Sequence, residues 1–203
     1  MIGMLESLRK LNLSGNKLET LPHKIGNLKL LEILDLRNNE FETLPPEIGN
    51  LKELSILHLN DNKFEILPSE IGKLKNLEVL YLNGNKFETL PSEIEKLKYL
   101  RELDLKDNNL ETLPDTIGEL KNLQKLDLRN NKFVTLTGTI RKLSDSLEIL
   151  DLRGNNISEV GDGEKTLGKK ELGEIFGDRV KLDEDVSQWS LWEYLAGFFV
   201  NLL

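Results

Sequence analysis

The sequence predicts an α/β solenoid: a right-handed stack of coils with seven parallel strands on its concave face. Short helical or 3-10 turns are expected on the convex side, with a helical cap at the C-terminus. Three observations carry this expectation. A motif, LxxLxLxxN, returns seven times and puts asparagine at 16, 39, 62, 85, 108, 131 and 155, in steps of 23 residues and finally 24. Each copy holds an LxL core, whose alternation sends the leucines to one side and their neighbours to the other. A return path then repeats Leu-Pro, Ile and Gly at fixed offsets, as in LPSEIGKLKNLEVLYLNGNKFETLP from Leu67 to Pro91.

Taken in chain order, each element of one coil has a physical reason. LxL followed by a turn residue suits a short strand in a parallel sheet, one strand per coil. The asparagine after it can donate and accept, so stacked copies can satisfy backbone groups stranded in the core by the tight turn. Two residues on stand Leu18, Phe41, Phe64, Phe87, Leu110, Phe133 and Ile157. Four of the seven phenylalanines fall in this column, so it reads as a buried stack and not as a ligand box. Leu-Pro at 21–22, 44–45, 67–68, 90–91 and 113–114 fixes an extended backbone that ends strand pairing. The IGxLKxL segment that follows is too short and too marked by glycine for a long helix.

These motifs resemble the leucine-rich-repeat superfamily, and LPxxIGxLxxL resembles its 23-residue subclass of Ras-group and Ras-suppressor-like proteins. The match covers about residues 2–157. The resemblance implies a protein–protein recognition scaffold, with a Ras-like GTPase or its regulator as one class of partner. The tail TLGKKELGEIFGDRV looks like the C-terminal segment of short microsporidian leucine-rich-repeat proteins.

The ends depart from the pattern. Ile2, Gly3 and Leu5 align with Ile25, Gly26 and Leu28, so the chain starts halfway through a coil with no polar cap in view. A fragment of a longer array or a short gene product is favoured over a specialised cap. Residues 1–157 are expected to form the solenoid and 158–203 a helical capping segment. In the sixth return path Thr137 replaces Pro and Arg141 replaces Gly, with one residue inserted before Leu147. A helix is expected over 166–176, ended by Gly177, and Asp183–Asp185 reads as a solvated linker. WSLWEYLAGFFVNLL, residues 189–203, is too short to span a bilayer. As a helix it would be a lid over the last coil, a surface for a partner or a second copy, or an element lying on a membrane.

Composition narrows the function. The chain of 203 residues carries a net charge of −8, with 38% apolar and 31% charged residues. Residues 1–155 hold 22 Lys/Arg against 25 Asp/Glu, leaving −5 for the remainder. A near-neutral body with an acidic tail argues against nucleic acid as partner. No cysteine is present, which removes disulfides and thiolate chemistry. The N-terminus MIGMLESLRK has no apolar run of a signal peptide, no stretch is long enough to span a membrane, and the cytoplasm is slightly favoured. His23 and His58 occupy different columns and are not expected to meet. Asp35, Asp104, Asp127 and Asp151 each precede Arg37, Lys106, Arg129 or Arg153 by two residues, which reads as exposed same-face ion pairs. No catalytic constellation, cofactor motif or metal set emerges, and the chain is read as no enzyme.

The outward columns of the sheet carry the site expectation. Ile33, Ile56 and Val79 stand in the first, Asp35, His58 and Tyr81 in the second, and Arg37, Asn60 and Asn83 in the third. An apolar centre with an aromatic anchor and a polar rim is interface anatomy, expected to take a protein or peptide ligand. The opposing account is that β-branched residues simply favour strands. Lys75 and Lys98 are placed on a solvated convex path. Two other functions stay open: self-assembly through 189–203 and the uncapped first coil, or a regulatory repeat fragment of a larger signalling protein.

Overall fold

The computed structural model describes residues 5–183. Each repeat contributes one three-residue strand: β1 Lys10–Asn12, β2 Ile33–Asp35, β3 Ile56–His58, β4 Val79–Tyr81, β5 Glu102–Asp104 and β6 Lys125–Asp127. After a short β7, Leu136–Thr137, the seventh repeat gives β8, Ile149–Asp151. These seven strands form one parallel sheet in chain order, in a register that never slips: Lys10, Ile33, Ile56, Val79, Glu102, Lys125 and Ile149 face one another across successive pairs. An eighth strand comes from outside the repeats: β10, Val180–Lys181, pairs parallel with β8 at the end of the sheet.

The leucines between the outward residues are buried completely, from Leu34 and Leu36 through Leu150 and Leu152. Behind them Phe41, Phe64 and Phe87 are also fully buried, their rings stacked at 6.3 and 6.2 Å between centroids. A single hydrophobic core therefore runs the length of the stack, and no coil has a core of its own.

The asparagine column ties coil to coil. Asn85 Nδ2 donates to Leu82 O of its own coil at 2.9 Å and to Leu59 O of the preceding coil at 3.0 Å. Its Oδ1 accepts from Phe64 N at 3.1 Å, again in the preceding coil. Asn39, Asn62, Asn108, Asn131 and Asn155 repeat this three-way bond. Asn16, in the first coil, bonds only to Leu13 O and Ser14 O among the described residues.

Just ahead of each ladder asparagine the backbone turns through positive φ, at Gly15, Asn38, Asp61, Gly84, Asp107, Asn130 and Gly154. Only Gly, Asn and Asp occupy this position, the residues that tolerate a left-handed conformation at least cost. On the return path the proline of each Leu-Pro pair is extended, with Pro68 at φ −66° and ψ 146°, and a 3-10 turn of five residues follows, as in Ser69–Lys73. Gly72 sits in that turn because the next coil lies against it: a Cβ there would stand 2.6 Å from Glu93 O. The convex lysines are exposed, but the solvated path expected for them is not free of contacts. Lys75 and Lys98 reach across to Lys96 O and Glu119 O of the next turn, because each coil leaves the carbonyls at the end of its 3-10 turn within reach of the lysine before it.

The C-terminal end closes the stack differently. Where earlier coils have proline, Thr137 stands in β7, which pairs antiparallel with β9, Thr166–Leu167, and the Gly138 N–H next to it donates to Lys165 O at 2.6 Å. The helix α1 therefore begins later than expected and spans Lys169–Phe176, since Thr166 and Leu167 are taken by the strand. Gly177, at φ 55°, ends it. Leu167, Leu172 and Phe176 join the solenoid core. Arg179 donates to Ser144 O at 2.5 Å and Leu147 O at 2.9 Å, clamping the cap to the seventh repeat. Asp183 is exposed, as a solvated segment requires, but it is tied down: its carboxylate accepts the Gly154 N–H at 2.9 Å, in line with the strand that β10 adds, while 184 and 185 lie outside the described residues. The expectations for residues 189–203 and for the coil start at Ile2 and Gly3 lie outside the described residues.

Replacing Asn85 by Ala strands the Phe64 N–H in the middle of the stack and takes one of two asparagine bonds from each of Leu59 O and Leu82 O, which keep Asn62 and Asn108. One orphaned buried group costs about 1–3 kcal/mol, and that is the loss expected. Lys86→Ala, which removes only an exposed contact to Glu65, is expected to cost about 0.5 kcal/mol or less. Urea unfolding of both variants checks this, and equal losses would contradict the ladder.

Candidate functional site

The sheet register turns three sequence columns into a surface. Ile33, Ile56 and Val79 are in-register partners, and so are Asp35, His58 and Tyr81. Alternation along each strand sends these side chains outward while Leu34, Leu57 and Leu80 go in, so the apolar row is half-buried and not lost to the core. The His58 and Tyr81 rings stack, with centroids 4.9 Å apart and planes inclined by 29°. Burial lowers the His58 pKa; the Asp35 charge opposes this and Arg37 adds to it. Burial raises that of Tyr81, helped by the charge of Glu102, a hydrogen bond to it and the charge of Asp104.

The rim residues divide. Asp35 is 6% exposed and accepts the Arg37 N–H at 3.2 Å while the guanidinium stands 3.3 Å away. Asn60 donates to Asp61 at 2.7 Å. Asn83 contributes its carbonyl, which accepts from Asp61 N. The structure thus brings all nine expected site residues onto one face of three neighbouring coils, β2 to β4. His23 is elsewhere, exposed at the start of a 3-10 turn.

Beyond β4 the same face changes character. Glu102, Asp104, Lys125, Asp127, Arg129, Ile149, Asp151 and Arg153 line a groove of about 250 Å³. Of the four aspartates expected in exposed ion pairs, Asp35, Asp127 and Asp151 do pair with Arg37, Arg129 and Arg153, but Asp35 and Asp151 are buried and not exposed. Each accepts the N–H two residues on, at 3.0 Å for Lys106 to Asp104 and for Arg129 to Asp127, which draws the carboxyl in against the strand end. Asp151 is 7% exposed; burial pushes its carboxyl up, and hydrogen bonds and charge from Arg153, with Arg129, outweigh that and hold it low. Arg129 bridges Asp127 at 2.5 Å and Asp151 at 3.5 Å, and Arg153 holds Asp151 at 2.6 Å.

Asp104 is the exception. Lys106 turns away to Asp107 at 3.2 Å, and among the described residues no cation stands within ion-pair distance of Asp104. Burial, reinforced by Asp127, pushes its carboxyl up to about 6 despite the Lys106 N–H and the charges of Arg129 and Lys106. Sequence reasoning missed this, because Lys106 two residues on looked like a partner. The signal available was the lysine itself, which cannot fork back onto its own aspartate as Arg129 and Arg153 do.

No helix among the described residues is long and apolar enough to cross a membrane. Two family profiles match the chain, one described as a leucine-rich repeat region over residues 1–84 and 48–130, the other as a leucine-rich repeat over 122–143 and 146–164. Among solved structures, a leucine-rich-repeat protein of Leptospira interrogans is 48% identical, with a TM-score of 0.74 over 76% of this chain and 39% of that one. A plant peptide hormone receptor in complex with RGF2 is 33% identical, with a TM-score of 0.59 over 75% of this chain and 29% of the receptor. An internalin of Listeria monocytogenes, at 24% identity and a TM-score of 0.67, covers 77% of this chain and 45% of its own and shares the fold. The chain thus spans less than half the length of each of these proteins. No curated protein matches it.

Asp104 makes a prediction about pH. A folded-state pKa near 6, above the ordinary 3.8, means that the folded chain holds more protons than the unfolded one between these values. Stability contributed here is present at low pH and falls as pH rises through that window. Asp104→Asn keeps an acceptor for the Lys106 N–H and removes the charge. The variant is expected to melt higher than the parent at pH 7.5, with the difference gone near pH 4. A lower melting temperature at pH 7.5 would contradict the burial cost.

Proposed function

The chain belongs to the leucine-rich-repeat family, and from that premise we propose that it is a non-catalytic interaction scaffold holding a protein or an extended peptide on the outward face of its sheet. One observation carries the choice of face: the His58–Tyr81 stack, which stands beside the half-buried row Ile33, Ile56 and Val79 in strict register. Aromatic rings on a rigid strand lose little entropy on binding, and aliphatic neighbours supply the area that desolvates. Strand propensity alone explains the β-branched row, but not a histidine and a tyrosine stacked outside the core. The similar plant peptide hormone receptor, solved with RGF2, supports the peptide class of ligand. The finer assignment to the Ras-suppressor-like subclass, with a Ras-like GTPase as partner, rests on the LPxxIGxLxxL motif.

Partners captured from the source cells on the immobilised chain supply the test. Tyr81→Ala and Ile56→Glu are expected to weaken each genuine partner by more than about 2 kcal/mol, since a few central anchors dominate such interfaces. Both side chains face outward, so the melting temperature should hold. Lys75→Glu and Lys98→Glu on the convex side should change affinity by less than about 0.5 kcal/mol. Decisive lysines with a silent Tyr81 would put the binding face on the other side.

A further inference from the structure

The sheet face is apolar over β2 to β4 and charged over β5 to β8, and the two halves meet between Tyr81 and Asp104, which are in-register partners. Tyr81 gives one ring face to His58 on β3. Its other face lies toward β5, where Glu102 and Asp104 stand outward. Along this row the charges do not balance. Asp35, Asp127 and Asp151 each hold an arginine, whereas Lys106 goes to Asp107 and leaves Asp104 without one among the described residues. The groups around Asp104 are Tyr81 on β4, Glu102 on its own strand, and Asp127 on β6 with Lys125 opposite Glu102. Lys106 and Arg129 stand in the next row, and Arg129 is committed to Asp127 and Asp151.

Resting on the sheet-face reading above, we infer that the junction of Tyr81, Glu102 and Asp104 is a subsite for a guanidinium or ammonium group. Its ligand is an extended peptide that lays an apolar residue on Ile56 and Val79 and a basic residue beyond Tyr81. The chemistry is complementary on each side. A cation over a tyrosine ring gains from the ring's negative face, and a carboxylate at its edge adds a charge-assisted hydrogen bond. Asp104 costs the free protein stability in its charged form, and a bound cation relieves that cost. Binding therefore draws Asp104 into its charged form and releases a proton below about pH 6.

A phage-displayed library of random peptides, selected on the immobilised full chain and counter-selected on its Tyr81→Ala variant, tests this without a known partner. The expected result is Tyr81-dependent peptides enriched in Arg or Lys. Exchange of that residue for Gln, or Asp104→Asn in the protein, should each weaken binding about tenfold, and the two together no more than either alone. Affinity should fall from pH 7.5 to pH 5, and the part of that fall due to Asp104 should vanish in Asp104→Asn, leaving only what His58 contributes. Tyr81-dependent peptides without basic enrichment, bound equally by Asp104→Asn, would overturn the cation subsite and leave the sheet-face reading standing. A selection yielding no Tyr81-dependent peptide would overturn both.

Discussion

A coil of this solenoid has no inside of its own, so everything depends on what holds one coil to the next. Hydrophobic contact supplies most of that cohesion, through leucines and a phenylalanine stack with almost no exposure. Contact of this kind is non-directional, however, and would tolerate a slipped or splayed stack. The ladder asparagines remove that freedom. Each fixes the distance between two turns by bonding to a carbonyl in both and to the N–H of the aromatic column behind. Register, and with it the identity of every outward column, follows from this side chain being the right length at one place in each coil.

The flat register is what makes a surface out of scattered residues. Because pairing never shifts, a single residue type repeated at 23-residue intervals becomes a stripe, and a change of type becomes a boundary across the face. The boundary between Tyr81 and Asp104 is of this kind: an aromatic stack ends and a charged row begins between adjacent strands. The charged row is largely self-neutralising through Arg129 and Arg153, so its surplus is concentrated at one carboxylate and not spread over the face.

Much of this could be read from the chain. The strands, the return turns, the buried phenylalanines and the role of Asn85 follow from period and residue type, and the nine outward residues from Ile33 to Asn83 lie where alternation puts them. What escaped sequence reasoning depends on geometry between coils. The left-handed turn positions were legible in principle, since only Gly, Asn and Asp occur there, but the asparagine next to them carries the stronger signal. Thr137 was seen as a lost proline, and its consequence, a short antiparallel pair closed by the Gly138 N–H on Lys165 O, needed Thr166 to be brought beside it. β10 has no leucine pattern and is a strand only because β8 offers an edge. Asp104 looked paired in sequence because Lys106 stands two residues on, as Arg129 does after Asp127; the difference between a forked guanidinium and a flexible ammonium decides it.

The claim that asparagine bonds set the stack is tested most directly by native-state hydrogen exchange. The backbone N–H groups of Phe41, Phe64, Phe87, Leu110 and Phe133 have an asparagine Oδ1 of the next coil as acceptor. They lie outside the strands, yet the account predicts that they exchange as slowly as the strand-side amides of Leu59 and Leu82, which open only when coils separate. Exchange of these five amides at the rate of exposed turn amides, with the strands still protected, would show that hydrophobic contact alone holds the coils in place.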